Sequence, residues 1–221
     1  YKIKPNYLLN VLVIGAHPDD EVVGMGATIK KLSKKNKIFL CIITDGTTAQ
    51  YDDKKMIKVR RDACIKSSKL LGITKVKFLD FPDMGLDTIS QLEINKELEK
   101  IIEDYKPKVV YTSPAHDLHK DHQLVFDSAL VATRPFSSSV KQLLSYECSG
   151  PVNQPFRPTV YQNIEKELPY KLKAFKMYKS EVMKFPHPRS IKAIESLAIQ
   201  RGVECSLKKA EAFQLIRSIV D

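Results

Sequence analysis

The chain has 221 residues, and its 43% hydrophobic and 28% charged side chains are typical of a globular protein, which excludes a disordered or fibrous one. No apolar run approaches the roughly 18 residues that a membrane-spanning helix needs, so we expect no membrane span. The 36 Lys and Arg residues outnumber the 26 Asp and Glu residues, but the lysines are scattered over predicted helices without interleaved aromatic residues, so we expect a solvated surface and no nucleic-acid partner.

Short apolar runs alternate with amphipathic helical patterns along the first two thirds of the chain. The runs typical of buried strands are residues 11–15, 37–44, 76–79, 109–112 and 143–147. The helical patterns between them are residues 24–35, 54–71, 89–105 and 123–133. Strands that alternate with helices form a parallel sheet covered on both faces. Together with right-handed crossovers, this predicts a Rossmann-like, doubly wound α/β fold.

A loop with three prolines covers residues 150–158. Beyond it, the pattern predicts a strand at residues 159–163, helices at 165–178 and 190–201, and a last segment at 210–219. We interpret residues 1–221 as a single domain with a core at about residues 8–150, and we expect residues 151–221 to be a C-terminal extension that completes the cleft.

The four cysteines are far apart in the sequence and form no CxxC pair. Cys41 and Cys64 fall in apolar or helical patterns, which is typical of small buried hydrophobic residues. We therefore expect free thiols in a reducing compartment, the cytoplasm, and no four-cysteine zinc site.

A histidine and three acids follow the first predicted strand directly, in the sequence AHPDDE at residues 16–21. Ligands of open α/β sheets bind beyond the carboxyl ends of the strands. Here His17 and Asp20 can hold one metal ion together, which would leave Asp19 free. The alternative is that Asp19 and Asp20 only cap the next helix, although three successive acids repel each other.

A second polar cluster, HDLHKDH at residues 116–122, follows the fourth predicted strand. In the strand order 3-2-1-4-5 the first and fourth strands are neighbours, so the two clusters should meet in one crevice. All five histidines of the chain fall in predicted loops, which favours a functional role over a place in the core.

Two imidazoles and one carboxylate with an open position are typical ligands of catalytic zinc, and ferrous iron accepts the same set. Zinc is the metal that we expect for hydrolysis, because no motif for a redox partner is visible. A dinucleotide cofactor is disfavoured, because acids stand where a glycine-rich turn would cradle the pyrophosphate.

These motifs resemble those of the PIG-L/LmbE-type zinc-dependent N-acetylglucosaminyl deacetylase family. The resemblance rests on AHPDDE at 16–21, Gly24 and HKDH at 119–122. Further stretches fit the layout of that family: TDG at 44–46, Arg60 and FPD at 81–83. It implies a Rossmann-like fold and the removal of acetyl groups from N-acetylglucosamine-type sugars.

The resemblance also implies roles for individual residues. The implied zinc ligands are His17, Asp20 and His122. Asp19 would be the general base. His119 would stabilise the oxyanion and help the amine to leave, and Asp121 would orient the ring of His119.

Three further residues are candidates for substrate binding. Arg60 would help to bind the substrate or the intermediate, by the same resemblance. His187 and Arg189 lie between prolines in a predicted loop, where they either contact the substrate or a second subunit or form only a turn. The partner that we expect is a small-molecule amino-sugar conjugate, and an anionic one would suit the net charge. The family often forms trimers or hexamers, which implies a homo-oligomer here.

The leading hypothesis is therefore a zinc-dependent hydrolase that releases acetate and a free amine from an N-acetylglucosamine-type conjugate. Two alternatives stay open. One is a metal-dependent amidohydrolase that acts on a non-sugar amide, and the other is a non-catalytic sugar- or nucleic-acid-binding module on the same fold.

Overall fold

The computed structural model describes residues 8–47 and 55–220. The strands in these ranges are β1 (Asn10–Gly15), β2 (Lys37–Thr44), β3 (Lys75–Phe81), β4 (Val109–Thr112), β5 (Gln142–Tyr146), β6 (Val160–Asn163) and β7 (Ala210–Ser218). The α-helices are α1 (Asp20–Leu32), α2 (Lys55–Leu71), α3 (Gln91–Tyr105), α4 (Lys120–Ala132), α5 (Leu168–Phe175) and α6 (Ile191–Val203). A short 3₁₀ turn lies at Leu86–Thr88.

The strands form one sheet in the order β3-β2-β1-β4-β5-β7-β6. β1 to β5 run parallel, and β1 pairs with β2 on one side and β4 on the other, so that Leu12 lies opposite both Phe39 and Val110. This confirms the predicted α/β class with a mainly parallel, doubly wound sheet. It also places the carboxyl ends of β1 and β4 side by side.

The central strand β1 is buried on both of its faces. Val11 and Val13 pack in the apolar layer formed with α1, α2 and α5, whereas Leu12 and Ile14 pack in the layer formed with α3 and α4. Successive side chains of a strand point to opposite faces, so a strand between two helical layers needs a continuous apolar run. The burial of both faces fixes the position from which the following loop starts.

The C-terminal residues extend the same sheet with two antiparallel strands. β7 pairs with β5, and β6 pairs with β7, which confirms the strand predicted at residues 159–163 and makes the segment at 210–219 a strand. The helix predicted at 165–178 is shorter in the structure, where α5 covers Leu168–Phe175. Its start agrees with Pro169, since proline is favoured in the first turn of a helix.

A buried carboxylate ties this extension to α1. The helix has a kink at Met25, where φ is −147° and ψ is 25°. Beyond the kink, the backbone N–H groups of Ala27 and Thr28 donate to the Glu211 carboxylate at 3.1 and 2.6 Å. Lys171 of α5 donates to the same carboxylate at 2.7 Å. Glu211 of β7 thus satisfies backbone donors that the kink leaves without helical partners.

α4 begins at Lys120, three residues before its predicted start at 123. His119 is its N-cap, and the ring Nδ1 of His119 accepts a hydrogen bond from the backbone N–H of Asp121 at 3.3 Å. His122 therefore lies in the first turn of a helix, and the prediction that all five histidines lie in loops is wrong for it.

The starts of two other helices also bear on the predictions. α1 begins at Asp20 rather than at residue 24, so the last two residues of the first polar cluster, Asp20 and Glu21, are helical. Lys54, the predicted first residue of the second helix, lies outside the described residues. Within the described ranges, every helix is too short or too polar to cross a bilayer.

Candidate active site

Three predicted metal ligands converge at the carboxyl ends of β1 and β4. The Nε2 atom of His122 lies 3.3 Å from Nδ1 of His17 and 3.2 Å from Oδ2 of Asp20, and that oxygen lies 3.4 Å from Nδ1 of His17. His17 comes from the loop after β1, Asp20 from the start of α1, and His122 from the first turn of α4. The structure brings these side chains into one buried group that could hold a metal ion.

The outward nitrogen of each histidine meets a carboxylate. Nε2 of His17 lies 3.1 Å from Asp121 and 3.0 Å from Asp83, and Nδ1 of His122 lies 2.8 Å from Asp117. Metal-binding histidines usually donate their second ring N–H to such an acceptor, which fixes the ring orientation. The donor set and its surroundings therefore fit a metal ion with nitrogen and oxygen ligands.

The charges around the group favour a cation. Burial alone lowers the pKa of His122, but Asp20 and Asp117 raise it to about 9. Burial raises the pKa of Asp20, but His122 and His17 hold it well below its usual range. The carboxylates therefore stay ionised and stabilise positive charge at this position.

Other acidic and histidine side chains form two overlapping groups, one with Asp83, His119, Asp121 and His17, the other with Asp117, Cys148 and His122. In the first of these, Asp121 already accepts the N–H groups of Met84 and Leu86 at 2.8 and 3.3 Å. Neither Asp83 nor Asp121 lines the cleft, whereas Asp20 and His122 do. In the second group, Asp117 already accepts the backbone N–H of His119 at 2.9 Å and contacts the outward Nδ1 of His122. We therefore favour the group of His17, Asp20 and His122.

Asp19 stands beside this group in an unusual backbone conformation. It is fully buried, and its φ of 128° is one that a non-glycine residue rarely adopts. It precedes α1, but its side chain makes no capping hydrogen bond, so the alternative that it caps the helix is wrong. Strained conformations of this kind cluster at functional sites.

Two arginines flank the Asp19 carboxylate. Oδ2 of Asp19 lies 3.0 Å from Arg189, and Oδ1 lies 3.4 Å from Arg60. Burial raises the pKa of Asp19 to about 6, although both arginines oppose the increase. A carboxylate with this pKa is ionised at neutral pH and basic enough to accept a proton.

Two buried glutamates to which the sequence analysis assigned no individual role support Asp19. Glu21 accepts the backbone N–H of Asp19 at 3.1 Å and the hydroxyl of Tyr178 at 2.7 Å. Glu181 lies 2.7 Å from Arg189 and 3.6 Å from Arg60. Burial raises the pKa of Glu21 to about 8. Glu21 is part of the AHPDDE motif, whereas Glu181 lies in the C-terminal extension, eight residues before Arg189.

His119 lines the cleft, but Asp121 orients it differently from the prediction. The carboxylate of Asp121 contacts His17, and it is the backbone N–H of Asp121 that donates to Nδ1 of His119. The proton of the neutral His119 ring therefore lies on Nε2. Burial and the neighbouring His17 and His122 rings lower the pKa of His119, which favours this neutral form.

The three predicted substrate-binding residues occupy different positions. Arg60 is buried, donates to the carbonyl oxygens of Pro18 and Gly46, and does not line the cleft, so it positions the loop and Asp19 rather than facing the substrate. His187 and Arg189 do line the cleft, which has a volume of about 390 Å³. Nδ1 of His187 accepts the backbone N–H of Arg189 at 3.1 Å.

Known proteins resemble this chain in sequence and in fold. The sequence profile of the family described as "PIG-L: GlcNAc-PI de-N-acetylase" matches residues 12–133, which include both polar clusters. "Uncharacterized deacetylase YaiS" of Escherichia coli K12 is 31% identical over 179 residues, which are 77% of this chain and 90% of that protein.

Two further relatives are named for a sugar substrate. The diacetylchitobiose deacetylase of Thermococcus kodakarensis is 30% identical over 126 residues, which are 53% of this chain but only 46% of that protein. The solved N,N'-diacetylchitobiose deacetylase of Pyrococcus horikoshii has a TM-score of 0.80 at 24% identity, with 94% of this chain and 84% of that chain covered. At this identity, the structural match shows the fold alone.

Proposed function

Because the chain belongs to the PIG-L family of deacetylases, we propose that it is a zinc-dependent hydrolase that removes the acetyl group from an N-acetylglucosamine-type conjugate, releasing acetate and a free amine. The observation that carries the proposal is the buried group of His17, Asp20 and His122 with the separate Asp19 carboxylate beside it. A binding module would need neither a metal-ligand set nor a spare base.

The residues that would hold zinc are His17, Asp20 and His122, and the side chains of Asp20 and His122 line the cleft. A zinc ion held there would supply Lewis acidity for the activation of water and of the amide carbonyl. Iron(II) accepts the same ligands, so the experiment below also measures which metal the protein binds.

Asp19 acts as the general base in this proposal. Its carboxylate lies next to the ligand Asp20 but outside the ligand group, and its Oδ2 accepts no hydrogen bond from the described residues, so this oxygen is available to take a proton from the attacking water. The new C–O bond forms as that proton moves to Asp19. A pKa near neutrality matches this task, because the group must be ionised before the step and able to return the proton afterwards.

His119 lines the cleft and acts on the oxygen of the reacting carbonyl group. With Nδ1 occupied by a backbone N–H, its Nε2–H is the donor that remains for the oxygen that gains negative charge. When Asp19 passes the proton that it took from water to the amide nitrogen, the C–N bond breaks, and the amine and acetate leave.

The substrate class rests on the named activities of the relatives. The diacetylchitobiose deacetylase of Thermococcus kodakarensis acts, by name, on an N-acetylated amino sugar, and we propose an amino-sugar conjugate for this chain as well. We further propose a cytoplasmic homo-oligomer. Support for the compartment comes from Cys41 and Cys64, which are buried as free thiols.

The test is acetate release from a panel of N-acetylglucosaminides, with the metal content of the purified protein measured by mass spectrometry. We expect about one metal ion per chain, amine and acetate in equal amounts, and loss of both products after chelation. If an amine is released only from non-sugar amides, the proposed substrate class is wrong. If hydrolysis continues after complete removal of the metal, the proposed mechanism is wrong.

A further inference from the structure

A second cavity lies beside the catalytic cleft and has a volume of about 520 Å³. The two cavities share a wall formed by Cys148, Ser149, Gly150 and Pro188. On its far side the second cavity is bounded by the loop after Gly150 and by α6. We call it the aglycone groove.

The lining of the aglycone groove is mainly apolar. Side chains from the loop and from α6 face each other across it: Val152, Pro155, Phe156, Ala193 and Leu197. Val152 is 39% exposed, so apolar surface is available at the rim. An apolar ligand placed here would cover this surface and release the water around it.

The charged residues of the lining neutralise each other. Arg201 donates through Nε to Glu147 at 2.7 Å and through a second nitrogen to Glu204 at 2.6 Å. A guanidinium that is already paired offers little to an anionic ligand. The groove is therefore unsuited to a phosphate or carboxylate, although the net charge of the whole chain would favour one.

We propose that this groove binds the uncharged, apolar aglycone of the amino-sugar conjugate. The inference rests on the proposed function, because the acetyl-bearing sugar must occupy the cleft beside Asp19 and His119. A conjugate longer than one sugar passes the shared wall and reaches the groove next to it. The groove thus selects the aglycone, while the cleft selects the acetylated amino sugar.

The experiment compares methyl and octyl N-acetylglucosaminides as substrates, with the octyl compound kept below its micellar concentration. We expect a KM about 10-fold lower for the octyl compound, because its alkyl chain buries apolar surface in the groove. Leu197→Glu should remove this advantage and leave the KM for the methyl compound unchanged. Phe156→Ala, which shortens a side chain of the loop, should reduce the difference in KM between the two compounds without placing a charge in α6.

Ile199→Glu is the matched control, because Ile199 lies on the same helix, is 44% exposed and is outside the lining of the groove. The Ile199→Glu variant should keep the lower KM of the wild-type protein for the octyl compound. Binding of the deacetylated octyl glucosaminide, measured by calorimetry, gives a readout that does not need turnover, and Leu197→Glu should weaken it about 10-fold.

The outcomes separate the two proposals. If both glycosides are hydrolysed with equal KM and Leu197→Glu changes neither, the aglycone inference is overturned and the deacetylase function stands. If an N-acetylglucosamine phosphate is preferred over the octyl compound, the groove has been misassigned. If neither glycoside releases acetate, the proposed function fails and the inference with it.

Discussion

The inner and outer halves of the candidate site are built in different ways. The inner half consists of His17, Asp19, Asp20 and His122, which are all buried and held by partners on at least two sides. The outer half consists of the 186–189 loop and the aglycone groove, whose side chains come mostly from the last third of the chain and are mostly not buried. The proposed catalytic residues thus lie in a buried and closely held group, whereas the surface proposed to select among substrates is partly exposed.

The largest effect should come from removal of the inner base. We expect Asp19→Asn to lower kcat about 10²–10⁴-fold while the protein keeps its metal, because the amide cannot accept the proton. Steady-state rates and metal content of the same preparation check this. Asp127→Asn, an exposed change on α4, is the control and should leave both values unchanged. Full activity of the Asp19 variant would show that the base is another group.

A smaller effect should come from the carboxylate behind His122. We expect Asp117→Asn to weaken metal binding about 10–100-fold, because the ring loses its charged partner at 2.8 Å. Competition with a chelator of known affinity measures the change. An unaltered metal affinity would mean that the contact does not orient the ring.

The rigidity of the inner half can be tested through Gly24 on α1. A Cβ placed there would overlap the Tyr146 ring, whose hydroxyl donates to the carbonyl oxygen of Ile14 in β1. We expect Gly24→Ala to lower the free energy of unfolding by about 1–3 kcal/mol. Gly150→Ala is the matched control, because nothing lies within 4 Å of its added methyl group. Denaturant unfolding compares the two, and equal stabilities would contradict the tight packing.

The smallest effect should come from the outer half. We expect His187→Ala to raise KM several-fold with kcat unchanged, as for a group that binds ground state and transition state equally. His187→Asn keeps an acceptor near the backbone N–H of Arg189. If this variant restores the wild-type KM, His187 forms only a turn. If both variants raise KM, it contacts the substrate.

The sequence predicts the inner half well because its determinants are local. Each polar cluster directly follows a buried strand, and the order of parallel strands places β1 next to β4, so the convergence of His17 and His122 follows from chain order. The capping by His119 was not predictable in the same way, because serine, threonine, aspartate and asparagine are the residues that usually begin helices.

The remaining errors concern side chains whose partners are distant in sequence. The direction of the Asp121 carboxylate depends on the N–H groups of Met84 and Leu86, which no spacing near residue 121 reveals. The burial of Arg60 depends on the carbonyl of Gly46 and on Glu181, which folding alone brings together. Motifs therefore predict which residues lie at the candidate site, and tertiary packing decides which of them line the cleft.

The bond between Glu211 and the kink in α1 has a consequence for biosynthesis. The carboxylate that completes the helix bearing Asp20 is translated 184 residues after the backbone N–H of Ala27 that it accepts. A nascent chain that has already formed β1 and both polar clusters still lacks this support until β7 leaves the ribosome. Metal loading should therefore follow translation of the final strand rather than accompany synthesis of the motifs.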